Sequence, residues 1–197
     1  MKTKKELFLD KELRTGGFYE LSIQVCPSMD NLPIKLYTDF LWSQKNIEGP
    51  FDLEFNNSEV KLENIQHNGI LNLEKYSIPF MTYNIRETEP IETGFNWFDI
   101  CFYCEAIEKI FGKEFTTWTE IQNCPKLITE FFNTIMKSLY EIYPFKLAMI
   151  DFEISGQYYL EDLKSELENF TYSKFYIGKE NINEIAEQNK KFVTIIN

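Results

Sequence analysis

Cys101 and Cys104 stand in a C-x-x-C spacing. That spacing suits a redox dithiol or one half of a zinc site. A redox pair needs a lowered thiol pKa, which the N-terminus of a helix supplies most readily. Asn96 can cap a helix here, with Asp99 three residues on and Gly112 as its stop, so both thiols fall in the second turn or beyond. They then share a stripe with Trp97, Ile100, Ile107 and Phe111, where a free cysteine behaves as a small hydrophobe. Zinc would need a second pair, and Cys26 and Cys124 are solitary, each followed by proline. Packing is the favoured reading, with a thiol oxidoreductase built on Cys101 and Cys104 as a chemical alternative.

Asp151 and Glu153 form the best-spaced carboxylate pair. Two apart in a strand, they point to one face, while Ala148, Ile150, Phe152 and Ile154 make the other face apolar. They lie just before Ser155-Gly156-Gln157, at the end of the strand where ligand sites of open α/β sheets gather. Such a pair could hold Mg²⁺ with water completing its shell. A solvated strand tip is the plainer reading.

His67 is the only histidine, so a two-histidine metal site within one chain is excluded. It precedes Asn68-Gly69, and no G-x-S-x-G supplies a nucleophile for it. Neither a G-x-G-x-x-G nor a G-x-x-x-x-G-K-[ST] phosphate cradle occurs. No cofactor is therefore expected.

The remaining candidates are surface residues. The loop Glu87–Gly94 carries Glu87, Glu89 and Glu92, and tyrosines Tyr158, Tyr159, Tyr172 and Tyr176 lie near acids. Tyrosine beside negative charge suits a protein interface, where the ring anchors and the charge steers. Stacking on nucleic-acid bases would require a basic groove instead.

These residues need elements to position them. Phe18–Cys26 alternates apolar and polar residues as a half-buried strand does. Ile34–Trp42 also alternates, with a helix as the less well capped option. Asn68-Gly69 suits a type I′ turn, which predicts a hairpin of Val60–His67 and Ile70–Tyr76. Ile78–Arg86 follows as a strand with Pro79 at its edge or start. Two helices come next, the second from Pro125 to Tyr143 with a wide apolar stripe. Phe145–Ile154, Thr171–Ile177 and Phe192–Ile196 read as strands, separated by helices over Tyr158–Asn169 and Glu180–Lys190. The expectation is an α+β fold: an antiparallel front half, two buried helices, then a strand-helix-strand-helix-strand back part. All 197 residues are read as one domain, with a soft division near 87–95.

Composition narrows the function. Lys plus Arg is 20 against 31 for Asp plus Glu, a net charge of −11. Such a balance argues against a general nucleic-acid binder, because phosphate contacts need clustered cations. Residues 15–100 hold five cations against thirteen anions, the densest negative stretch. No apolar run approaches the ~18 residues of a membrane span, and the start lacks a secretory pattern. Four cysteines are too few for a disulfide scaffold, so reduced thiols in a cytoplasm are expected. The function expected is that of a non-enzymatic acidic binding protein docking a basic protein partner. An inhibitor or immunity-type protein blocking a nuclease-like toxin is one concrete form. The enzymatic alternative is a small metal-dependent enzyme using Asp151 and Glu153.

Overall fold

The computed structural model describes residues 2–62, 66–88, 93–115, 124–165 and 173–196. Helix α1 (Lys4–Leu9) begins at a capping box between Thr3 and Glu6. A 3₁₀ turn (Lys11–Arg14) leads into β1 (Phe18–Pro27). Helix α2 (Leu32–Trp42) and strands β2 (Ile47–Phe51), β3 (Gln66–Leu73), β4 (Tyr76–Thr88) and β5 (Thr93–Tyr103) follow. The rest comprises α3 (Cys104–Phe111), α4 (Lys126–Ile142), β6 (Leu147–Phe152), β7 (Lys174–Gly178) and β8 (Val193–Ile196).

Among the described residues, eight strands join one sheet in the order β2-β3-β4-β5-β1-β6-β7-β8, and only β7 and β8 pair in parallel. The fold is α+β, as the sequence predicts, and strands of both chain halves share that sheet. β1 lies between β5 and β6, so the first strand joins the two halves.

On one sheet face Leu21, Ile23, Phe98, Ile100, Ala148 and Ile150 share a core with Tyr37 and Leu41 of α2 and with Phe132, Ile135 and Leu139 of α4. Burying side chains of this size contributes about 1.5–3 kcal/mol each. The opposite face is covered too. Ile154, Leu160, Leu163 and Ile185 pack there on Trp97, Leu147, Met149 and Phe175. Leu13 and Ala106 close over Met81, Cys101 and Tyr103.

Several local expectations are corrected. Ile34–Trp42 is helical because Ile34, Tyr37, Thr38 and Leu41 bury one 3.6-period face, with Pro33 in the first turn. Asn68-Gly69 makes no turn. It lies within β3, and the hairpin closes at Glu74-Lys75, where Glu74 takes a φ of 51° and Leu73 pairs with Tyr76. Gly69 is needed for close approach: a Cβ there would meet Glu48 O at 2.7 Å, Trp42 Cζ3 at 2.8 Å and Phe80 Cε1 at 2.9 Å.

Asn96 caps no helix. It lies in β5, and its amide donates to Asp30 O (2.7 Å) and Pro27 O (3.1 Å), clamping the turn between β1 and α2. Pro79 lies inside β4, one residue before pairing with β5 begins at Phe80. The helix expected over Tyr158–Asn169 is a 3₁₀ turn at Leu160–Lys164 as far as the described residues go. Glu180–Lys190 likewise resolves into two 3₁₀ turns, Lys179–Glu184 and Glu187–Phe192. Among the described residues, no helix is long and apolar enough to cross a membrane.

Candidate functional site

β1 alternates Tyr19, Leu21 and Ile23 toward the helices with Glu20, Ser22 and Gln24 toward the other face. Register then builds two rows across the central strands. Glu20 stands between Cys101 of β5 and Asp151 of β6, and Ser22 between Asp99 and Met149. Tyr83 of β4 extends the second row beside Asp99.

These carboxyls are inside the protein. Glu20 is 4% exposed and Asp99 1%, values rare for acids without a cationic partner. Their hydrogen bonds come from neutral donors. Ser155 N donates to Glu20 Oε1 at 2.6 Å, and Ser155 Oγ to Asp99 Oδ2 at 2.7 Å. Cys101 Sγ donates to Glu20 Oε2 at 3.3 Å. Burial, reinforced by the Asp99 charge, pushes Glu20 up to about 7. Burial also lifts Asp99 to about 6, against the hydroxyls of Ser22 and Ser155. The pair can therefore hold and release a proton near neutral pH.

The two cysteines of the C-x-x-C spacing border this site from different elements. Cys101 is in β5 and Cys104 is the first residue of α3, whose N-cap, Tyr103, makes no side-chain capping bond. Burial and then the Glu20 and Asp99 charges raise the Cys101 thiol well above its ordinary value. Cys104 is pushed up to about 11, by burial first and then by Glu153, Glu105, Glu108 and Glu20. Neither thiol has the lowered pKa that redox exchange requires.

Asp151 and Glu153 are not two residues of one strand, and they bond different partners. β6 ends at Phe152, and Glu153 takes a φ of 49°, which breaks the strand alternation. Asp151 accepts from Ser173 Oγ and Phe152 N, whereas Glu153 Oε1 accepts from Phe18 N at 2.6 Å. Among the described residues, no three His, Cys, Asp or Glu side chains are grouped to hold a metal ion.

The other singled-out residues scatter. Glu87 lies in β4 and accepts from Phe95 N, Trp97 Nε1 and Tyr159 OH, so its carboxylate is engaged within the fold. Tyr158 and Tyr159 are half-buried against the second-face core. Tyr176 is buried in the helix-side core, on the opposite face of the sheet. Glu89, Glu92 and Tyr172 lie outside the described residues. His67 is buried in β3, and its Nε2 accepts from Lys61 N at 2.9 Å.

Sequence reasoning missed Glu20, Asp99 and Ser155, which are distant in sequence and meet only through strand register. It also passed over Glu105 and Glu108, whose nearness to Cys104 in the chain was a usable signal. Comparison of the chain with known protein families, with curated proteins and with solved structures returns no match, so the site is read from its own geometry.

Proposed function

We propose that this protein is a non-enzymatic binding protein that docks a basic protein partner at the acidic margin around Cys104. The observation that carries this reading is the convergence of carboxylates from three places. Glu105 and Glu108 come from α3, Glu153 from the segment after β6, and Glu20 from β1 beneath them. Acids gathered on a partly buried, low-dielectric surface focus negative potential outward and speed encounter with a cationic surface.

Much of the positive charge, that of Lys109 on α3 included, is already paired. Lys2, Lys4, Lys35, Lys109, Lys126 and Lys164 each sit in an ion pair with a carboxylate of this chain. The acids that remain dominate the net charge of −11. An inhibitor or immunity-type protein covering the cationic cleft of a toxin is the form this chemistry fits best.

The test is a pull-down from the protein's own cell extract at about 50 and about 200 mM salt, a range over which exposed charge contacts weaken. Wild type is compared with a Glu105→Lys, Glu108→Lys, Glu153→Lys triple variant. One stoichiometric basic protein, held by wild type at low salt and lost from the variant, is the expected result. Equal capture by both would remove the acidic margin as the docking surface.

A further inference from the structure

The segment after β6 does more than connect. Glu153 turns the chain back over the sheet, its N–H donating to Phe18 O at 2.9 Å. Ile154 enters the second-face core, and Ser155 then reaches both buried carboxyls. Gly156, with a φ of 71°, turns the chain away again, into a place where a Cβ would meet nothing within 4 Å. Where this segment crosses the central strands, its polar attachment to the interior runs through Glu20 and Asp99.

We propose that Glu20, Asp99 and Ser155 form a proton-operated latch: a proton kept on the carboxyl pair holds segment 153–157 seated, and its loss frees the segment. This inference is independent of the docking reading.

The groups facing the pair explain why a proton matters. β1 contributes Glu20 with Ser22, β5 contributes Asp99 and Cys101, β6 contributes Asp151, and β4 contributes Tyr83. The segment itself adds Glu153, whose charge is felt at Glu20, and α3 adds Cys104 at its first residue. Among the described residues, no lysine or arginine donates to either buried carboxyl. Arg14 interacts with Tyr103 and stacks over the Phe8 ring.

With one proton on the pair, held by Glu20, the single negative charge on Asp99 accepts from the Ser155 hydroxyl. With none, two like charges sit close together in a low-dielectric interior, and both demand water. β1, β5 and β6 are held by strand pairing on both sides, so they do not yield. Segment 153–157 is the cover that can lift, because beyond Glu153, which bonds Phe18 at its edge, Ser155 is its polar anchor. Hydration of the carboxyls and release of the segment are then one event.

The experiment is amide hydrogen exchange between about pH 5.5 and about pH 8.5, corrected for intrinsic exchange rates. In wild type, protection of Ile154, Ser155 and Gln157 should fall at least about tenfold over that range, the equivalent of one unit of proton linkage. Protection of β1 and β5 should hold. In Glu20→Gln and in Asp99→Asn the segment's protection should lose its pH dependence. In Ser155→Ala, which keeps the N–H bond to Glu20 and loses the hydroxyl bond to Asp99, it should be lower than in wild type at every pH. A wild-type segment whose protection is flat with pH, or a pH dependence surviving in both carboxyl variants, would overturn the latch. The wild-type profile alone decides should a variant fail to fold.

Discussion

The Tyr159 hydroxyl donates to Glu87 Oε1 at 2.7 Å across 72 residues of sequence, tying the back part of the chain to the outer end of β4. The same carboxylate takes Trp97 Nε1 at 2.8 Å and Phe95 N at 2.9 Å. Glu87 is thus a buttress between β4, β5 and the segment that covers them. Tyr159→Phe removes one donor, and Glu87→Gln removes the charge that strengthens all three bonds. Each should cost about 1–3 kcal/mol in urea unfolding, with the double variant losing less than the two losses combined.

Stability should fall as pH rises from the ordinary carboxylate range to about 7. Glu20 and Asp99, raised to about 7 and about 6, keep protons in the folded state that the unfolded chain has already released. Their contribution is complete below about pH 4, declines through that window and is flat above it. Glu20→Gln should therefore gain on wild type by on the order of 1–3 kcal/mol at pH 8, and little at pH 4. Thermal melts across pH read this directly.

His67 works in the opposite sense. Burial, with the Lys61 charge, lowers its pKa, and its Nε2 must stay unprotonated to accept from Lys61 N. Stability contributed by the neutral ring is complete above the usual value of 6.5 and is lost as pH falls below it. The His67 ring resonances should stay in their neutral form at pH 6.5, where an exposed histidine is half protonated. His67→Gln should flatten the acid-side slope of the melts.

Gly69→Ala should destabilise by about 1–3 kcal/mol, the ordinary cost of overpacking. Two of its three close contacts are a backbone oxygen of β2 and the Trp42 ring, neither of which moves freely. At this size the melting temperature should drop by about 2–4 °C for each kcal/mol.

Cys101 and Cys104 should resist iodoacetamide at pH 8 in the native protein and react fully in denaturant. Both are buried, and the surrounding carboxylates discourage the thiolate that alkylation needs. Mass spectrometry of the intact protein counts the adducts.

The elements that followed from sequence are those fixed by their own periodicity. The α4 stripe of Ile128, Phe132, Ile135 and Leu139 and the alternation of β1 are both in place. What misled were residues with two physical uses. Gly69 signals a turn by its freedom at positive φ, yet it serves here by lacking a side chain. Asn96 signals a helix cap, yet its amide clamps a neighbouring turn. Alternation in β1 implied a wet face for Glu20, Ser22 and Gln24. It could not reveal that segments more than a hundred residues later would roof that face. The acid pair was illegible for the same reason, since Glu20 and Asp99 become neighbours only when β1 pairs with β5.

The central place of β1 also bears on how the chain folds as it is made. β2, β3 and β4 are sequence neighbours and can zip together as they emerge. β1 must wait for β5, and it stays unpaired on its other side until β6 is synthesised. Of the helices that cover its apolar row Tyr19, Leu21, Ile23 and Val25, α2 is made early but α4 comes much later, and closure of so long a loop is slow. Chaperones that bind alternating apolar strands have their longest opportunity at Phe18–Cys26, and substitutions that slow the arrival of β6 should lower the yield of soluble protein before they lower its final stability.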